Sequence, residues 1–187
     1  MSKFLRYAAI GAAVASFGIA SGAQAATTAQ ADVTAKILST LAVSVDPSQN
    51  TLDFGTIGDS GPITGDVTLA VSAAGVKGTC PTGLTCGGTA TVPLFHVTGA
   101  NNKAVNINFA NASETLAYQG TPPNGFAAKT MTVGSFVTNA TNGSTNNQLV
   151  LDSTGGGTFQ VGGTLTVHQD QAPGTYKGTV NVSVAYN

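Results

Sequence analysis

Gly174-Thr-Tyr-Lys-Gly-Thr-Val-Asn-Val-Ser-Val-Ala-Tyr-Asn187 decides the fold class. The even positions hold Tyr176, Gly178, Val180, Val182, Val184 and Tyr186, and the odd positions are small or polar. Period-two alternation is the pattern of a β-strand with one buried face. It runs to Asn187, so we expect a strand whose far edge no later segment covers. A long apolar strand with an open edge promotes aggregation unless something pairs with it. The pattern therefore predicts a partner.

A second alternation lies near the other end. Ala29, Ala31, Val33, Ala35, Ile37, Ser39, Leu41, Val43 and Val45 share one parity, with mostly polar residues between them. As a single strand these 17 residues would be about 56 Å long, against about 17–20 Å for an ordinary strand. Either the strand bends near Ser39 and changes sheets within its domain, or its first half leaves the domain and lies in a neighbour.

Residues 1–25 read as a secretory signal. Lys3 and Arg6 precede the apolar run Tyr7–Ala20, and Ala23-Gln24-Ala25 is a small-x-small cleavage site. The run is too short to span a membrane. We expect a mature chain from Ala26, comprising an extension over 26–39 and one domain over 40–187. No second long apolar stretch follows, so no membrane span is expected in it. From Ala26 on there are five lysines, no arginine and eight carboxylates, a net charge of −3 with His neutral. Nucleic-acid binding, which needs phosphate neutralised by Lys and Arg, is not expected. Cys80 and Cys86 bracket the turn-rich Pro-Thr-Gly-Leu-Thr, and in an exported chain they are expected to form a disulfide.

Between the two ends, short alternating runs recur between turn clusters and no helical period appears. They include Leu52 and Phe54; Val67, Leu69 and Val71; Val105, Ile107 and Phe109; and Met131 and Val133, followed by Phe136 and Val137. Leu149 and Leu151 form another, and Phe159/Val161 and Leu165/Val167 flank Gly162-Gly163. This spacing predicts an all-β antiparallel sandwich with polar surface loops such as Asn139–Asn147.

No catalytic constellation emerges. Gly58-Asp-Ser-Gly-Pro62 resembles a serine-protease nucleophile loop, but both histidines, His96 and His168, follow Ser60, in the wrong order for that fold. It reads as a turn. His168 and Asp170 could form a His–carboxylate pair, yet no activated nucleophile accompanies them. The Cys pair lacks further metal ligands at a fixed spacing. We expect no enzyme, no cofactor and no metal.

The C-terminal strand resembles that of fimbrial subunits assembled by the chaperone–usher route, which end in alternating apolar residues with a penultimate aromatic and a Gly fourteen positions from the end. Here Tyr186 is penultimate and Gly174 is fourteenth. Leu52-Asp-Phe-Gly-Thr-Ile57, Gly162-Gly-Thr-Leu-Thr-Val167 and Pro173-Gly-Thr-Tyr176 are also similar to a group of exported bacterial pilin-like sandwiches known only as a domain of unknown function. Many fimbrial subunits join their first strand to a later one by a disulfide, whereas Cys80 and Cys86 close a small local loop.

The resemblance implies an immunoglobulin-like sandwich lacking its last strand. The groove beside Gly174, Tyr176, Val180, Val182, Val184 and Tyr186 would be filled first by a periplasmic chaperone and then, at an outer-membrane usher, by the extension of the next subunit. Ala29, Ala31, Val33, Ala35 and Ile37 become the candidate donor strand. The function implied is a structural subunit of a surface fibre, exported to the periplasm and then to the cell surface. The alternative is a self-contained exported sandwich that binds a glycan or an envelope partner and pairs its own N-terminal strand with the C-terminal one.

Overall fold

The computed structural model describes residues 31, 32, 34–61 and 63–187. The chain divides into two units, Met1–Lys36 and Ile37–Asn187. The described residues of the first lie in no strand or helix. Ala29 and Val33 of the candidate donor lie outside the described residues, as does the whole of the expected signal.

The second unit is all-β. Its strands are β1 (Ala42–Val45), β2 (Thr56–Asp59), β3 (Val67–Val71), β4 (Leu84–Gly87), β5 (Leu94–Thr98), β6 (Ala104–Phe109) and β7 (Ser113–Tyr118). There follow β8 (Thr130–Thr138), β9 (Thr141–Asn142), β10 (Thr145–Asn146), β11 (Gln148–Val150), β12 (Gly156–Val167), β13 (Tyr176–Lys177) and β14 (Val182–Tyr186).

The large sheet has the order β1-β5-β12-β8-β7-β13, with β3 also paired to β12. All its ladders are antiparallel. Against it lie a three-stranded sheet, β11-β6-β14, and the β2-β4 pair. Each covers one half of the large sheet over its own core. Under β11-β6-β14 the core is Val97, Val105, Ile107, Leu151, Phe159 and Val161. Under β2-β4 it is Phe54, Leu69, Val71, Val92, Val133, Leu165 and Val167. The architecture is the antiparallel sandwich that the alternation predicts.

β12 holds the halves together. Gly156–Gln160 pair with β5, and Gly163–Val167 pair with β3. Gly162-Gly163 does not separate two strands as the sequence suggested. It lies inside one strand, at a register shift against β8. A Cβ on Gly162 would overlap the Val71 carbonyl and the backbone of Ser72 and Ala73, so only glycine lets that chain cross there. The runs around Met131 and Phe136 likewise form one strand, β8, bulged at Ser135 (φ 47°). The 139–147 loop carries the small β9-β10 hairpin.

Both long alternations are shorter in the fold than in the sequence. Of the 17-residue N-terminal phase only Ala42–Val45 is a strand, paired with β5; described residues before it lie in none. β5 has only five residues and the chain turns after Thr98, so among the described residues a longer strand has no partner there. The C-terminal strand is divided. Tyr176–Lys177 pair with β7 in the large sheet, and Val182–Tyr186 pair with β6 in the other. Residues 178–181 cross between sheets outside any ladder.

Candidate functional site

Among the described residues β14 pairs with β6 alone, and β1 pairs with β5 alone. These two edges approach each other without pairing. The curled sandwich is therefore unclosed along one seam, between the β1 side and the C-terminal segment. At one end the seam opens into an apolar groove of about 510 Å³. Its floor is Phe95, Val161, Val133 and Leu116, supplied by the successive neighbours β5, β12, β8 and β7. One wall is Val45, Leu52 and Phe54; the other is Tyr176 to Val180. Lys177 is the one charged residue in this lining. The surface suits an apolar chain segment, not polar chemistry.

The even residues of the C-terminal segment do share a face. Tyr176, Val180, Val182, Val184 and Tyr186 are all half-buried, while the odd residues are exposed. None is fully buried, which is what an incompletely covered core edge looks like. Val182, Val184 and Tyr186 pack on the core beneath the three-stranded sheet. Tyr176 stacks edge-on against Tyr118 at 5.3 Å, and its hydroxyl meets Gln171 and the Ala172 carbonyl. Gly174, itself exposed, lies against the Tyr118 ring.

At the other end of the seam Tyr186 closes it. Its hydroxyl accepts a hydrogen bond from the Ala100 amide (2.6 Å) and donates to the Ser39 carbonyl (2.9 Å). The chain before Ser39 turns outward: Ile37 is 94% exposed. Ala31 and Ala35 are exposed as well.

Cys80 and Cys86 are bonded, with Cα atoms 5.8 Å apart. The bridge braces β4, which lies beside β2 over the Leu69–Leu165 core. His168 pairs with Asp66 at 2.9 Å, not with Asp170. His96 pairs with Asp46 at 3.2 Å, where the chain leaves β1 for the groove wall. The Ser48 hydroxyl, the Ser48 amide and then His96 hold the Asp46 carboxyl down at about 2. Both pairs are partly exposed. Among the described residues no three His, Cys, Asp or Glu side chains gather so as to hold a metal ion.

The sequence reading missed the groove floor as a unit. Val133 and Val161 are legible as strand residues, but nothing local says that they meet Phe95 and Leu116.

The sequence signature of a domain of unknown function, DUF4402, covers residues 43–186. This chain belongs to the DUF4402 family. The match starts inside β1 and ends at Tyr186, so the DUF4402 domain contains both sides of the seam and excludes residues 29–37. No curated protein and no solved structure matches the chain.

Proposed function

We propose that this DUF4402 chain is a structural subunit of a bacterial surface fibre. In it, residues 29–37 of one copy complete the sandwich of the next by strand addition. The observation that carries this reading is the apolar groove beside residues 178–181, continuous with the unpaired edge of β14. An added strand would gain main-chain hydrogen bonds from that edge and bury alternating side chains on the apolar floor. Ala29, Ala31, Val33, Ala35 and Ile37 have the required period, and small residues at three of those positions fit between a wall and a preformed floor. Such head-to-tail contacts do not close on themselves and build filaments.

The likeness of Gly174 and Tyr186 to the terminal motif of chaperone–usher subunits supplies the route. Residues 1–25 direct export, a periplasmic chaperone occupies the groove first, and an outer-membrane usher exchanges it for the next subunit. The disulfide fits the oxidising compartment this requires.

The test is deletion of residues 26–37 in the exported chain. The truncated subunit is expected to fold and to be absent from fibres sheared off the cell surface. A peptide spanning residues 29–37 should bind it and raise its melting temperature. Fibres built from the truncated chain would overturn the reading. A stable wild-type monomer that ignores the peptide would favour the self-contained binding domain.

A further inference from the structure

We infer that Tyr186 sets the direction in which the extension leaves the domain, delivering it to another copy and withholding it from its own groove. This deepens the strand-addition reading and rests on it. The Tyr186 hydroxyl binds two main-chain groups, the Ala100 amide and the Ser39 carbonyl, so what it fixes is the path of the backbone. The hydroxyl sits in a space made by a missing side chain: a Cβ on Gly99 would stand 2.6 Å from it and 2.9 Å from Leu41 Cδ1. Ser39 is thus held three residues ahead of β1, and two residues further back Ile37 is in solvent.

This anchor and the groove lie at opposite ends of the seam. β1 starts beside Thr98, close to Ala100, and ends beside Phe95 in the groove floor. β14 ends at Tyr186, while the groove wall ends six residues earlier at Val180, about 20 Å away along a strand. To enter its own groove the extension would have to reverse direction just outside Ser39. A two-residue hairpin reversal needs a residue that takes positive φ, which means Gly, Asn or Asp. Thr34-Ala-Lys-Ile-Leu-Ser-Thr-Leu41 contains none of them. The backbone that leads back from β1 to Ser39 thus runs away from the groove end of the seam, the direction that a head-to-tail donor needs.

The test uses the full exported chain. Tyr186→Phe keeps the ring and removes the hydroxyl. The Ala100 amide should then exchange hydrogen faster while the β12 amides stay protected, which shows that the fold persists. The ratio of monomer to fibre in unheated gels should rise about fivefold, the effect of one lost hydrogen bond. A second variant leaves Tyr186 intact and inserts Asn-Gly between Leu38 and Ser39, supplying the missing turn. It should convert fibres into monomers whose melting temperature no longer responds to the 29–37 peptide. If both variants polymerise like the wild type while the 26–37 deletion does not, the direction-setting role is wrong and strand addition stands. If the deletion polymerises too, strand addition falls and this role falls with it.

Discussion

Gly174 passes directly under the Tyr118 ring: a Cβ at position 174 would overlap the Cε2, Cζ and hydroxyl of Tyr118. The same Tyr118 hydroxyl donates to the Pro173 carbonyl at 2.9 Å, which locks the ring over the glycine. The glycine that marks the terminal motif thus has a packing reason in this chain. It also lies at φ 154°, where an L side chain is strained.

Gly174→Ala should therefore destabilise the domain by about 2 kcal/mol, the usual cost of an inserted methyl without room. Urea unfolding with the disulfide intact would measure it. In Tyr118→Ala the obstacle is gone, so Gly174→Ala added to that variant should cost clearly less than it does alone. Equal costs in the two backgrounds would mean that the ring does not set the requirement.

Gly162 and Gly163 make a sharper comparison because they are adjacent. The three atoms nearest a Cβ on Gly162 are all backbone, those of Val71, Ser72 and Ala73. A Cβ on Gly163 meets the Phe136 ring at 3.2 Å and the Gly134 carbonyl at 3.3 Å, and the ring can give way. Gly162→Ala should cost about 3 kcal/mol or more and Gly163→Ala about 1 kcal/mol. Thermal unfolding separates them, since 1 kcal/mol moves the midpoint by about 2–4 °C in a domain of this size.

Those glycines also show where the sequence was readable. Alternation is a local property, so Val67–Val71, Val105–Phe109 and Val182–Tyr186 are legible as strands from their own side chains. Where a strand changes partner is not local. Gly162-Gly163 resembles a break because glycine weakens strands, yet here it lets one strand serve two neighbours. The N-terminal phase continues for 17 residues in sequence, but a strand lasts only as long as its partner, and β5 lasts five. Ser113–Tyr118 is not legible as a strand because Glu114 breaks the apolar face of β7. The groove floor needs β5, β12, β8 and β7 side by side, an order fixed by ladders between residues as far apart as Leu94 and Gln160. Cys80 and Cys86, six apart, needed no such knowledge.

Stability should fall in acid between about pH 4 and pH 2. The folded Asp46 carboxyl sits at about 2, below its ordinary 3.8, chiefly through the Ser48 hydroxyl and then the Ser48 amide and His96. A lowered folded pKa gives stability that is complete above the unfolded value and is lost as pH falls through the folded one. Asp152 is lowered in the same sense, first by the Thr154 hydroxyl and then by the Gly156 and Thr154 amides. Urea midpoints at pH 5, 3 and 2 should decline, and the decline should be shallower in Asp46→Asn. In Ser48→Ala the Asp46 carboxyl, followed by NMR, should titrate closer to its ordinary value. An unmoved titration would remove Ser48 as the main cause.

Assembly and folding should come apart at Val180. The residue lines the groove wall, is only half-buried and belongs to no ladder. Val180→Lys removes little buried apolar surface from the free subunit, and a lysine there can extend its ammonium into solvent. Its stability cost should stay below about 1 kcal/mol. In the completed sandwich the same position would face an added strand across a closed apolar groove, where an unpaired charge is expensive. The variant should therefore unfold at nearly the wild-type urea concentration, bind the 29–37 peptide at least tenfold more weakly, and be missing from sheared fibres. Val76→Lys is the control, because Val76 is 65% exposed and lies outside the groove lining; it should assemble normally. Equal fibre incorporation of the two variants would show that the groove is not where subunits join.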